Sequence, residues 1–371
     1  MKRISILLLS LTLLLSGCTK PPPEKTEDPE AVQTTQPPTP TPKVTPTTDV
    51  AITYAPATKP IYYNPLNGSP IDEEFGGKRP YAVMINNIVP ALPACGVTTA
   101  DIVYEVLAEG GVTRLMVIFS DITGIPALGS IRSVRPYYIE ISRAYDALLL
   151  HAGGSEQAYY DIPSKGIDNL DGVRGPYGEG TLFYRDQTRL YSGYAYEHTL
   201  FTTSDLIAQY APLFNYRIEH EDEIDYGLRF TDDATPKNGS DAKNIRLVFA
   251  GYKSSDLNYS EEDGVYYMTQ YGLKFIDGNT QEAIGFANVI ALFANTVNTG
   301  DEYAHIDVSL NGSGEGYFAH GGKLIPIKWS REGDGVPFTY TTEDGSPLEV
   351  GAGRTFVGVI PTPDKANCTY N

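Results

Sequence analysis

An α+β fold is predicted by three observations. Strand and helix patterns interleave over the first globular half. Nearly pure strand patterning fills the second. A polar stretch from Thr231 to Ala242, carrying Pro236, Asn238 and Gly239, separates them near Thr235. In the first half, Tyr81 to Asn86 is a short apolar run and reads as a buried strand. Asp101 to Glu109 and Val112 to Ser120 alternate on either side of Gly110-Gly111, a hairpin signal because both turn residues can take positive φ. Val134 to Tyr145 has helical spacing, with Ser133 as its N-cap and Pro136 in its first turn. Ala147 to Leu150 reads as the next strand, Glu156 to Asp161 as a short helix, and a further helix starts near Ser204. This order gives a mixed domain with a βαβ element over residues 71–235. In the second half, strand runs at Ile245–Ala250, Val265–Thr269, Asn288–Ala294, Ile306–Leu310 and Thr355–Ile360 alternate with Asp-Gly and Asn-Gly pairs. They predict a mainly β domain, sandwich or barrel-like, over residues 236–363, with 364–371 as a tail.

The N-terminus is read separately from the fold. Lys2 and Arg3 precede the apolar run Ile4–Leu15, about 12 residues and too short to span a bilayer comfortably. Leu15-Ser16-Gly17-Cys18 then resembles a bacterial lipobox, in which Cys18 becomes the lipidated first residue after cleavage. Residues 19–70 are rich in Pro and Thr and poor in large apolar residues, so they read as a disordered tether. The expected location is the extracytoplasmic side of the cell membrane, held by the lipid anchor.

The 371 residues carry a formal charge of −18. That excess of acid argues against nucleic acid, whose phosphates require clustered Lys and Arg. Three cysteines exclude a disulfide scaffold, and Cys95 and Cys368 read as free thiols or one disulfide. No metal-ligand spacing, P-loop or dinucleotide fingerprint appears, so no metal and no cofactor are expected. Asn311 to Gly316 superficially resembles a phosphate loop but reads as a β turn, since no helix should follow it.

Three clusters carry chemistry. With a two-residue Gly110-Gly111 turn, Glu105, Glu109 and Arg114 share one face of the hairpin, as an ion-pair cluster or a site. Arg132, Ser133 and Arg135 stand at a helix start, where two guanidinium groups oppose the helix dipole unless an anion sits there. That anion is either external or an internal carboxylate such as Glu105 or Glu109. His151, Gly153, Gly154 and Ser155 follow a strand end, where α/β sheets place ligands. His198 is a second imidazole.

Several ordered motifs together resemble the YerB-type lipoprotein family. They are Arg79-Pro80-Tyr81 through Asn87, Ala100-Asp101-Ile102-Val103-Tyr104-Glu105, Glu109 through Arg114, Ile131 through Pro136, and His151 through Ser155. Asn288-Val289-Ile290, Gly312 through Gly316 and Trp329 continue the likeness in the second half. Ser130 stands where the family pattern has Pro, and Glu197 and Thr199 flank His198 where it has Pro and Asn. The resemblance implies a two-domain bacterial envelope lipoprotein but supplies no reaction. Two readings therefore remain. One is a non-catalytic binding protein for a cell-wall component, a small anionic ligand or an envelope protein, using Glu105, Glu109, Arg114, Arg132, Ser133, Arg135, His151, Gly153, Gly154 and Ser155. The other is a hydrolase of a wall glycan or peptide, using Glu105, Glu109, His151 and His198.

Overall fold

A computed structural model describes residues 62–72, 77–219 and 224–371. Cys18, the apolar leader and most of the tether lie outside these residues. Residues 62–70, which the sequence assigns to the tether, belong to the body. Tyr62–Tyr63 pairs with Pro70–Ile71, Leu66 is fully buried, and Asn64 donates to Asp101 at 2.9 Å. One buried leucine and a buried amide suffice to pin this segment to the body.

Most strands fall where the apolar runs place them: β1 Tyr81–Asn86, β2 Ile102–Leu107, β3 Thr113–Phe119, β4 Leu148–His151 and β5 Asn169–Asp171. The second half supplies β6 Asn244–Ala250, β7 Lys253–Ser260, β8 Val265–Gln270, β9 Asn288–Ala294, β10 Gly312–His320, β11 Lys323–Arg331 and β12 Thr355–Pro361. The helices are α1 Pro136–Ala144, α2 Glu156–Ser164, α3 Gln187–Tyr191 and α4 Ser204–Tyr210. This is the expected α+β class, helix and strand mixed early and strand dominating late.

One eleven-stranded sheet crosses both halves in the order β11-β10-β9-β12-β2-β3-β1-β4-β5. Ser240–Asp241 and Thr339–Thr342 both pair with β11. Strand β12 lies parallel to both β9 and β2, so a second-half strand enters the middle of the sheet. Its apolar residues are buried throughout, as a strand covered on both faces requires. Strands β6, β7 and β8 form a second, antiparallel sheet. Leu247 and Phe249 of β6 meet β12 at Gly358, where a β-carbon would lie 3.1 Å from Leu247. The last residues are no free tail, because Thr369–Tyr370 pairs with β6.

The hairpin register departs from expectation. Leu107 pairs with Thr113 and Val106 with Arg114. The chain turns through Ala108–Val112, with Ala108 N–H donating to the Val112 carbonyl at 2.7 Å and a short 3₁₀ turn at Glu109–Gly111. This longer loop shifts the pairing by one residue and moves every side chain of one strand to the other face. Glu105 therefore shares its face with Thr113, and Arg114 looks the opposite way. Asn311 to Gly316 is also not a turn. From Gly312 it is the start of β10, and its glycines admit neighbours: a β-carbon at Gly314 would lie 2.6 Å from the Trp329 indole nitrogen.

Candidate functional site

The parallel strands β1, β4 and β5 end together at one sheet edge, with Tyr81 opposite Leu148 and His151 opposite Asp171. Such an edge gathers the loops that follow each strand. The segment before α1 is threaded through it. Arg132 N–H donates to Met84 at 2.9 Å, Ala152 N–H donates to Arg132 at 3.0 Å, and Val134 N–H donates to Gly153 at 3.0 Å. Ser133 is not the helix cap. Its hydroxyl donates to the Ala152 carbonyl at 3.0 Å, and the N-cap position passes to Arg135, with Pro136 opening the helix. Gly153 takes φ +82°, which a side chain would strain, and its N–H donates to Asp171 at 2.9 Å. Ser155 caps α2, accepting from Ala158 N–H at 3.2 Å.

Several candidate residues are internal. Glu105 and His151 are fully buried, so neither reaches a substrate. His151 is satisfied by the Gly153 carbonyl at 2.8 Å and by Asn169 Oδ1 at 3.1 Å. His198 is buried against Asn86 at 3.0 Å. Burial, with help from Arg132 and Arg189, pushes its pKa below the ordinary value and outweighs the opposing pull of Glu197. Glu109 is an internal anion for Arg135 but not for Arg132. It is bridged by Arg114 and Arg135, the latter at 2.7 Å. Burial pushes the Glu109 carboxyl up, but the Arg114 and Arg135 guanidinium groups more than offset this and hold it below its ordinary value. Burial likewise lowers Arg114 to about 10, aided by Arg135 and opposed by Glu109. Arg114 also donates to the Ser133 carbonyl at 2.7 Å, so the bridge ties the hairpin to the segment preceding α1.

Arg132 is different. Its side chain is one-fifth exposed and lies 3.5 Å from Glu197, itself largely exposed. Its Nε is buried without a hydrogen-bond partner. It lines an open cleft of about 340 Å³ together with Gly154, Arg174, Arg185, Tyr196 and Glu197. Arg174 is exposed and stacks on the Tyr159 ring at 3.6 Å. Among the described residues it has no carboxylate partner. Arg185 stacks on Tyr196 at 3.8 Å and is bridged to Glu179 at 2.9 Å. Three guanidinium groups thus meet one lining carboxylate, in a chain that is strongly acidic overall. The arrangement suits an anion approached by fork-like donors.

Two family models match the chain. The N-terminal domain described as "Protein of unknown function (DUF3048)" covers residues 66–217, and the corresponding C-terminal domain covers residues 245–357. The chain belongs to the DUF3048 family. Among curated proteins, "Putative lipoprotein YerB" of Bacillus subtilis (strain 168) is 29% identical over 310 residues, 82% of this chain and 87% of that protein. The crystal structure of the YerB protein from Bacillus subtilis matches with a TM-score of 0.72 at 25% identity, covering 83% of this chain and 99% of that one. The motifs from Arg79 to Ser155 lie in the first matched domain, and those from Asn288 to Trp329 in the second.

In this DUF3048 protein the cleft holds residues that the sequence did not flag. Tyr159, Arg174, Arg185 and Tyr196 come from four separate segments. A local signal existed only for Arg174, which follows β5 inside Gly172-Val173-Arg174-Gly175. Gly175 packs so closely that a β-carbon there would lie 2.3 Å from the Asp171 carbonyl oxygen. A second glycine turn at a parallel strand end repeats the signature that singled out Gly153-Gly154. Cys95 and Cys368 are free thiols, and burial pushes Cys95 up to about 11, despite the opposing pull of Arg189.

Proposed function

We propose that the protein is a lipid-anchored, extracytoplasmic binding protein of the bacterial envelope that takes an anionic ligand in the cleft of Arg132, Arg174 and Arg185. The observation that carries the site is the uncommitted guanidinium chemistry at the parallel strand ends. Arg132 has a buried Nε without a partner, and Arg174 has an aromatic support but no counter-charge. A carboxylate or phosphate supplies what both lack. The leader and lipobox motif at Cys18 support the anchor, and the name of the Bacillus subtilis relative agrees with it. No helix among the described residues is long and apolar enough to cross a membrane. The Pro- and Thr-rich composition of the segment after Cys18 supports a spacer that gives reach from the membrane. The ligand is a cell-wall component, a small anion, or an acidic patch on an envelope protein.

Binding is favoured over hydrolysis by the carboxylates. Glu105 is fully enclosed, Glu109 is bridged by two arginines, and the cleft lining carries the single carboxylate Glu197. Glycoside hydrolysis generally needs two carboxyl groups flanking the scissile bond.

The test is a thermal-shift series on the full chain with inorganic phosphate, phosphorylated sugars and anionic wall fragments. A ligand at about 100 times its Kd adds about 2.7 kcal/mol, which raises Tm by several degrees for a body of this size. The expected result is a shift lost in Arg132→Ala and Arg174→Ala. An equal shift in both variants refutes the cleft. Fractionation checks the anchor: Cys18→Ser moves the protein from the membrane to the soluble fraction, and retention in the membrane overturns the lipid anchor.

A further inference from the structure

The cleft leaves Lys253 unused. This lysine opens β7 and its side chain is fully buried, facing the equally buried Glu105 on β2 with Nζ 2.7 Å from Oε1. Nζ also donates to Gln270 Oε1 at 2.8 Å and to the Ser255 hydroxyl at 2.9 Å. Gln270, at the end of β8, donates its Nε2 to Asn87 Oδ1 at 2.7 Å, and Asn87 in turn donates to Glu105 at 2.9 Å. Thr113 and Ser255 complete the shell around the carboxylate, each at 2.7 Å. Exposure is 1% or less for Lys253, Glu105, Asn87, Thr113, Ser255 and Gln270. The rings of Tyr271 and Phe249 lie 4.8 and 5.8 Å from Nζ.

Burying an ammonium and a carboxylate costs several kcal/mol per ion, and an apolar replacement is often as stable. What the arrangement provides is a nucleophile, a proton acceptor and a primary amide locked together away from water. Held geometry of this kind replaces a bimolecular encounter by an effectively unimolecular one. The general base and the amine share one hydrogen bond, and geometry of that order is what proton transfer requires.

We infer that Lys253 and Gln270 form an intramolecular isopeptide cross-link, with Glu105 as the proton carrier. Glu105 takes a proton from the Lys253 ammonium. The freed amine attacks Gln270 Cδ, forming the Nζ–Cδ bond. Glu105 returns the proton to Nε2 and then carries the second Nζ proton of the adduct to the same nitrogen, so that the Cδ–Nε2 bond breaks and the nitrogen leaves as ammonium. Nothing is oxidised or reduced, and no outside reagent enters. Asn87 holds the departing amide nitrogen through its hydrogen bond. The product is a covalent tie between β7 and β8, and the Glu105 carboxylate remains unchanged.

Tryptic mapping of the denatured full chain decides the matter. Between Lys253 and Lys274 the sequence has no other Lys or Arg. A linked Lys253 resists trypsin, so the expected product is an uncut peptide Leu247–Lys274, lighter than its calculated mass by one ammonia. Glu105→Ala restores cleavage at Lys253 and the calculated masses. If wild type is cut at Lys253 and both peptides have their calculated masses, the pair is an ion pair only and the inference falls. A branch from Lys253 to the peptide holding Asn87 overturns the assignment to Gln270. The wild-type map is decisive even if Glu105→Ala fails to fold.

Discussion

Glu109 is gripped from two directions, by Arg114 on β3 and by Arg135 at the start of α1. Its carboxyl titrates below the ordinary value of 4.5 despite its burial. The sign of the linkage follows. A carboxyl with a depressed pKa contributes stability above its unfolded pKa and loses it as pH falls through the folded pKa. Urea unfolding at stepped pH should show wild type losing more stability than Glu109→Gln on acidification from about pH 5 to about pH 3. Parallel profiles would remove Glu109 from the acid response. At this scale the sequence was half legible. Arg132, Arg135 and Glu109 stood out because like charges at a helix start need an explanation. The division of labour did not, because it depends on which guanidinium finds the internal carboxylate. Arg135 and Arg114 took Glu109, and Arg132 was left facing the cleft. His151 stood out for its position at a strand end, yet that end is packed under its own loop.

Among the elements, apolar runs gave strand positions well, because burial of a continuous stretch is a local property of the chain. Tyr81–Asn86 and Asn288–Ala294 fall where the runs end. Register was less legible. Gly110 and Gly111 do adopt positive φ, +58° and +79°, which is what their presence implied. They do so inside a longer loop opened by Ala108, and one residue of difference moved Arg114 away from Glu105. Capping showed the same pattern. Ser155 caps α2 as a residue before an acidic first turn should. Ser133 had the right chemistry, but its hydroxyl serves Ala152, three residues ahead of the first helical residue. For α4 the cap is Thr203, and Ser204 is the first helical residue, where the helix was expected to start.

For the whole molecule, the placement of β12 matters most. It joins β9 on one side and β2 on the other, all parallel, with Thr355 opposite Asn288 and opposite Ile102, the latter from the far end of the globular sequence. Parallel partners carry no hairpin signal, so the sequence shows where each half lies but not that they share a sheet. Shared hydrogen bonding couples the halves. Calorimetry should therefore give one transition for the ordered body, with calorimetric and van't Hoff enthalpies equal. Two resolved peaks would show that the halves melt independently.

The same strand sets a schedule. Residues 355–361 are made long after residues 102–107, which they pair with. A chain delivered N-terminus first, from a ribosome or through a membrane channel, presents β2 with an open edge until those residues emerge. Its early partners β3 and β1 can assemble beforehand, but the sheet stays split until residues 355–361 arrive. An unfilled edge of that kind invites pairing with other chains. Completion of the sheet is thus a late event, governed by how quickly residues 355–361 follow the early strands.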